Sequence, residues 1–293
     1  TNMSSQITTA FVEQYSANIQ MLSQQMGSLL RDAVRNESIV GKDAYFDQIG
    51  KVTAQLKVSR HSDTPQIDTP HSRRRCSLAD YEFADLIDQQ DKVRLLIDPT
   101  SSYAKAAAYA MGRAMDDVII AAALASANTG VAGGTAVPLP AGNIVALNTG
   151  AVGGSTTMNI AKLALAKQKL DAGDVDPSIK RHIVVSPKEI ADLLNNTTVT
   201  SSDFNTIKAL VHGEIDSFMG FKFHVSNRLT TNANGDTQCI AFAEDGILLG
   251  IGKDVTARID ERSDKSYATQ VYYCQTIGAT RMEEAKVISV LAA

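Results

Sequence analysis

A chain of 293 residues with a formal charge of −4, 44% hydrophobic and 20% charged, has the balance of an ordinary globular protein and the length for one large domain or two smaller ones. The acidic balance excludes a protein whose affinity comes from neutralising phosphates. Three widely spaced cysteines, Cys76, Cys239 and Cys274, exclude a disulfide framework or a CxxC zinc unit and suit a reducing cytosol. No apolar run reaches the ~20 residues of a membrane span, and TNMSSQITT lacks the pattern of a signal peptide.

The first predicted element is a helix from Thr8 to Arg35. Val12, Tyr15, Ile19, Leu22, Met26, Leu29 and Ala33 recur at spacings of three and four, a single apolar seam. Its flanks are Gln, Ser and Asn rather than the Glu and Lys of a self-pairing coiled coil, so the seam is expected to pack on a globular surface. Lys51–Ser59 then alternates strictly, with Val52, Ala54, Leu56 and Val58 on one face, and predicts a half-buried strand. A second strand is predicted from Arg74 through Cys76, Leu78 and Tyr81 to Phe83. The intervening RHSDTPQIDTPHSR is too long and too polar for a hairpin loop inside a domain. An isolated two-stranded ribbon is marginal in water, so this hairpin reads as an arm lying on another surface, expected to be another subunit.

Pro99 followed by Thr100 opens a long Ala-rich helix expected to run to Ala127 and to stop before Gly130. Lys105, Tyr109, Arg113 and Asp117 form its polar stripe, with Arg113 and Asp117 placed to pair. Residues 128–157 read as short strands and turns, and Met158–Ala172 as a helix stopped by Gly173. His182–Val185 is expected as a buried strand, followed by Ser186 as a helix cap, Pro187 in the first helical position and a short helix. A strand pair around Gly220 and four strand-like stretches to the C-terminus complete a mixed α+β chain.

This order of elements resembles the tailed-bacteriophage major capsid proteins of the Hong Kong 97 type. The markers are HIVVSPKEIADLL, GEIDSFMGFKFHVSNRL, IAFAEDGILLGIGKDV and YATQVYYCQTIGATRMEEAKVISV, in that order, and DTPQIDTPHSRRR looks like a short-tailed subgroup. The resemblance covers nearly the whole chain. It implies an N-terminal arm helix (1–40), an extended hairpin loop (41–90), a peripheral domain with a spine helix (91–157), an axial domain (158–250) and return strands to the peripheral domain (251–293). It also implies a non-enzymatic coat protein, assembled in the host cytoplasm into the pentamers and hexamers of an icosahedral virion shell. That shell would enclose double-stranded DNA without sequence-specific binding. A scaffolding protein, a portal and a decoration protein are the further partners it implies, with no membrane and no cofactor. An encapsulin-type compartment shares the fold and is the alternative, followed by a cytosolic α+β enzyme.

Nothing in the residues asks for catalysis. Gly250-Ile251-Gly252 lacks the third glycine of a dinucleotide fingerprint and leads into a strand pattern. Ser186 has no nucleophile elbow around it, and no HExxH pair occurs among the five histidines. His61 and His71, with Asp63 and Asp68, read as a polar loop rather than a metal site. Arg73-Arg74-Arg75 is the one concentrated charge. It opens the returning strand of an arm without a core, so the expectation is pairing with carboxylates of a neighbouring subunit rather than with DNA. The candidate interface residues are Arg60, Arg73, Arg74 and Arg75 on the hairpin and Tyr15, Ile19, Leu22 and Met26 on the N-terminal seam.

Overall fold

The computed structural model describes residues 23–60, 63–64, 66–88, 100–150, 154–195 and 217–293. Tyr15, Ile19 and Leu22, with most of the expected N-terminal helix, lie outside them. From Ser23 onward the expected helix gives way to bends, a single 3-10 turn at Arg31–Ala33 and a strand, β1 (Arg35–Ser38). The reason is tertiary. The backbone N–H groups of Leu29 and Leu30 donate to the carboxylate of Asp116, which displaces any helical pattern there. Gly27 has φ +78°.

The hairpin is real, but its first strand lies before the alternating stretch Lys51–Ser59. β2 (Asp43–Ile49) pairs antiparallel with β3 (His71–Ser77), from Asp43 opposite Ser77 to Ile49 opposite His71. Lys51–Ser59 forms no strand, and residues 51–60 are exposed throughout. The apolar row lies open among the described residues, with Leu56 90% and Val58 89% exposed. The expected strand from Arg74 to Phe83 is broken at Leu78, where β4 (Ala79–Ile87) passes into a different sheet. The crossing is close: a Cβ on Gly278 would sit 2.1 Å from the Ser77 carbonyl oxygen, so only glycine fits.

The long helix α1 (Thr100–Leu124) is followed by β5 (Ala127–Thr129) and β6 (Thr135–Val137), which extend the hairpin sheet in the order β2-β3-β5-β6. After β7 (Ile144–Val145), α2 (Ile160–Ala172) starts at Asn159, whose side chain accepts from Lys162 N–H at 2.8 Å, and stops at Gly173. β8 (Arg181–Val185) is buried at every residue, as a central strand should be. α3 (Pro187–Asn195) follows it, with Ser186 N–H donating to the Glu189 carboxylate at 3.0 Å, half of a capping box.

β9 (Ser217–Phe218), β10 (Phe221–Val225), β11 (Thr237–Ala243), β12 (Ile247–Arg262), β13 (Ala268–Arg281) and β14 (Val287–Ala292) complete the chain. A six-stranded mixed sheet runs β7-β14-β11-β8-β10-β9, and a four-stranded sheet runs β1-β12-β13-β4. The stretches expected as separate strands before and after Lys253 are one sixteen-residue strand, β12, carried across irregularities at Ile251–Thr256.

Two apolar layers hold these parts. On one face of the six-stranded sheet, Ile183, Val185, Cys239 and Ile288 pack with Leu163, Ala166 and Leu170 of α2 and Leu193 of α3. On the other face, Val184, Ile240 and Phe242 meet Met115, Ile119 and Ile120 of α1, the turn at Leu30 and Ala33, and the root of the ribbon at Ile247, Leu249 and Ile277. Both faces of a central sheet are thereby covered.

Candidate assembly site

The site is built where the hairpin leaves the body. Arg74, the second residue of the apolar-poor run Arg73–Ser77 and only 6% exposed, points inward from β3. Its Nη2 donates to both Glu284 carboxylate oxygens at 2.5 and 2.6 Å, and its Nε donates to the Met282 carbonyl at 2.9 Å. Gln48 of β2 donates to the same carbonyl at 2.8 Å, so both strands of the hairpin are tied to one peptide beyond β13. Glu284 also faces Arg281, with Nε 3.9 Å away. Arg281 is fully buried and donates to the carbonyls of Ala123, Ala125 and Val137 at 3.0, 2.7 and 2.9 Å. It therefore closes the C-terminal end of α1, where carbonyls lack helical partners. Burial lowers its pKa from the usual guanidinium value, and Glu284 opposes that shift. The result is an Arg–Glu–Arg chain joining the hairpin, the end of α1 and the segment leading into β14.

Arg73 faces the other way. Its Nε and Nη2 donate to Asp47 at 2.6 and 3.2 Å, and its guanidinium carbon lies 5.8 Å from the centre of the Tyr45 ring. The hydrogen bond from Arg73 holds Asp47 below the usual carboxylate range. Arg75 lies 4.0 Å from Asp43 and packs beneath Gly133, where a Cβ would meet its own Cβ at 2.7 Å. Each of the three arginines thus faces a carboxylate of its own chain. Arg60 is exposed at the edge of the hairpin tip. Lys51, at the tip's root, pairs with Asp174 after α2.

The second anchorage is on α1. Asp116 is fully buried and accepts from Gln25 Nε2 (2.5 Å), Ser28 Oγ (2.5 Å), Leu29 N–H (3.0 Å) and Leu30 N–H (3.1 Å). The arm segment lies so near the helix that a Cβ on Gly112 would be 2.4 Å from the Gly27 carbonyl carbon. Arg113 donates to Gln24 Oε1 and to the Gln25 carbonyl, and Asp117 pairs with Arg228, so the expected Arg113–Asp117 pair is replaced by two longer-range ties. Of the expected seam's described residues, Met26 is 75% and Leu29 41% exposed, whereas Ala33 is buried.

Sequence reasoning missed Asp116, Arg281 and Glu284. A signal for Asp116 was present: Gly112, Met115, Asp116, Ile119, Ile120 and Ala123 form the buried stripe of α1, so an acid occupies the apolar phase. Arg281 likewise falls in phase with Ile277 and Ala279 along β13. Among the described residues no cluster of three or more His, Cys, Asp or Glu is placed to hold a metal ion, and no helix is long and apolar enough to cross a membrane.

The arrangement ties arms to a body and offers no reacting pair. The comparisons agree with that reading. No curated protein matches the sequence. The fold is similar to the capsid of Ralstonia phage GP4 (TM-score 0.75, 10% identity, 96% of this chain and 94% of that one). It is also similar to the capsid of cyanophage P-SCSP1u (TM-score 0.69, 17% identity, 97% and 94%) and to that of cyanophage Pam1 (TM-score 0.70, 11% identity, 100% and 99%). The fold is therefore the Hong Kong 97 type, and the encapsulin alternative is not favoured. The family model described as phage capsid protein matches residues 7–293. This chain belongs to the phage capsid protein family: it is a structural, non-catalytic component of a virion shell, assembled from copies of itself.

Proposed function

We propose that many copies form the pentamers and hexamers of an icosahedral shell around double-stranded DNA, with each hairpin lying on a neighbouring subunit. The observation that carries this reading is the contrast within the hairpin. Its root is held by Arg74, Gln48 and Lys51, whereas residues 52–60 beyond it are exposed and include Leu56 at 90% and Val58 at 89%. A held root with an apolar, uncovered tip suits a surface supplied by another copy. Residues 158–250, with α2 and α3, are assigned to the axial domain. Residues 1–40 are assigned to the arm, 41–90 to the hairpin loop, 91–157 with α1 to the peripheral domain, and 251–293 to strands returning to it.

Arg60 and the outward-facing Arg73 remain the hairpin's interface candidates, joined by the N-terminal seam of Tyr15, Ile19, Leu22 and Met26. Arg74 and Arg75 contribute by holding the root. Assembly in the host cytoplasm with a scaffolding protein and a portal, and a decoration protein on the finished shell, complete the reading. The acidic balance of the chain suits an inner wall that releases its genome. Negative-stain electron microscopy of particles from cells producing the protein tests it. Closed shells with nucleic acid support the reading, shells around a protein cargo point to a compartment, and small discrete oligomers refute it.

A further inference from the structure

We propose that Cys274 and Lys253 are a covalent modification site, in which hydrogen peroxide oxidises the thiol and the lysine amine then closes a nitrogen–sulfur bond between β12 and β13. This goes beyond the shell reading and does not depend on it. The three cysteines differ in access. Cys76 and Cys239 are fully buried, and burial pushes the Cys76 thiol up to about 11 and raises that of Cys239 as well. Buried thiols of that kind are inert. Cys274 is half-buried. Its neighbour Gln275 points into the protein and donates to the Met111 carbonyl of α1 at 3.0 Å, so Cys274 stands on the face of the ribbon turned away from α1. There Lys253 Nζ donates to Cys274 Sγ at 3.2 Å.

Two further features single out this pair. Lys253 is exposed, yet among the described residues its ammonium makes this one hydrogen bond and no ion pair. The carboxylates at neighbouring ladder positions are engaged elsewhere: Asp254 by Arg31, Asp80 by Thr276 and Glu82 by Tyr272. The ladder is also irregular at this point. Lys253 pairs with Thr276 and Thr256 with Cys274, so Asp254 and Val255 together face the single Gln275. A bulged strand bends and leaves part of its ladder unmade. A covalent bond here would join the two strands where their hydrogen bonds are interrupted.

The chemistry balances in two steps. The thiolate sulfur attacks one peroxide oxygen; the S–O bond forms, the O–O bond breaks, and the other oxygen leaves as water with the thiol proton. Sulfur is oxidised by two electrons to a sulfenic acid, and the peroxide is reduced. The neutral Lys253 amine then attacks that sulfur. The N–S bond forms, the S–O bond breaks, and the hydroxyl leaves as water with one amine proton, giving a sulfenamide. Sulfenic acids condense with protein nitrogen in this way.

The test treats the purified full chain with hydrogen peroxide, digests it and reads the peptides by mass spectrometry. A linked pair of peptides about 2 Da lighter than the sum of the two is expected, released again by dithiothreitol, which attacks the sulfur and frees the amine. Hydrogen exchange over residues 252–256 should slow about ten-fold in the linked chain. Lys253→Arg keeps the charge and removes the nucleophile, so trapping of the Cys274 sulfenic acid by dimedone should rise at least about five-fold over the parent. Cys274 carried to sulfinic or sulfonic acid with Lys253 unlinked overturns the proposal. So does a link about 14 Da heavier, which retains oxygen, or equal dimedone trapping in parent and a folded Lys253→Arg variant. Should that variant fail to fold, the peptides of the parent decide alone. None of these outcomes touches the shell reading, which electron microscopy tests separately.

Discussion

Asp116 shows how one side chain can override a local preference. Its carboxylate gathers four donors from residues 25–30 and so draws the arm segment onto α1. Asp116→Ala leaves buried N–H groups without partners, at a cost of about 3 kcal/mol. The expected outcome is faster protease cleavage between residues 23 and 30 and a lower melting temperature, with Asp116→Asn intermediate. His182 supplies a prediction in pH. It is 3% exposed, stacks on Phe242, and its Nδ1 lies 3.0 Å from His224 Nε2. Burial above all, then His224, Lys222 and Lys180, lowers its pKa to about 4. A histidine held neutral in the fold and free to protonate when unfolded near pH 6.5 contributes no penalty above that pH. Stability is then lost as pH falls from 6.5 to 4 and levels off below. The loss is about 3 kcal/mol. Denaturation midpoints across that range should fall in the parent and fall less in His182→Asn. Neither residue announces its partner in the sequence, because each partner lies more than 40 positions away in chain order.

At the scale of elements, the hairpin divides into a root that folds and a tip that does not fold alone. Arg74→Ala strands Glu284 beside a single remaining arginine, and breaking a buried pair in this way costs about 3–5 kcal/mol. The loss should appear in the isolated subunit, as faster hydrogen exchange over β2 and β3, and the swap Arg74→Glu with Glu284→Arg should recover part of it. If exchange is unchanged until shells form, the arginine acts between subunits instead. Replacing residues 51–69 by a short turn should leave folding intact and abolish shells, checked by circular dichroism and electron microscopy. The helices with clear stop and start signals were legible from sequence within a few residues: Gly173 ends α2, and Ser186-Pro187 opens α3. The strand expected at Lys51–Ser59 failed for a physical reason. Alternation reports that one face will be covered, and it does not say by which chain. Over residues 23–35 the expected helix gives way because spacing alone cannot show that Asp116 claims the amides of Leu29 and Leu30.

Across the whole molecule, two apolar layers back to back on one sheet explain why the order of motifs pointed to the fold, although each motif was weak alone. The unit from β8 to α3 and the unit around Gly220 lie side by side through the parallel pair β8–β10, and the chain's last strand returns beside β11. Pairings of that span are fixed by the assembled core and are invisible to local periodicity. The ribbon also has a mechanical consequence. β12 and β13 run antiparallel over nearly their full lengths, from Ile247 opposite Arg281 to Arg262 opposite Ala268, and β4 extends the ladder on the far side. Its hydrogen bonds lie across the strands. Tension applied along the ribbon therefore loads many of them in shear at the same time, whereas a pull across it would unzip them singly. The subunit should be stiff along this axis and weak across it, so the direction from which pressure reaches the ribbon matters as much as its size.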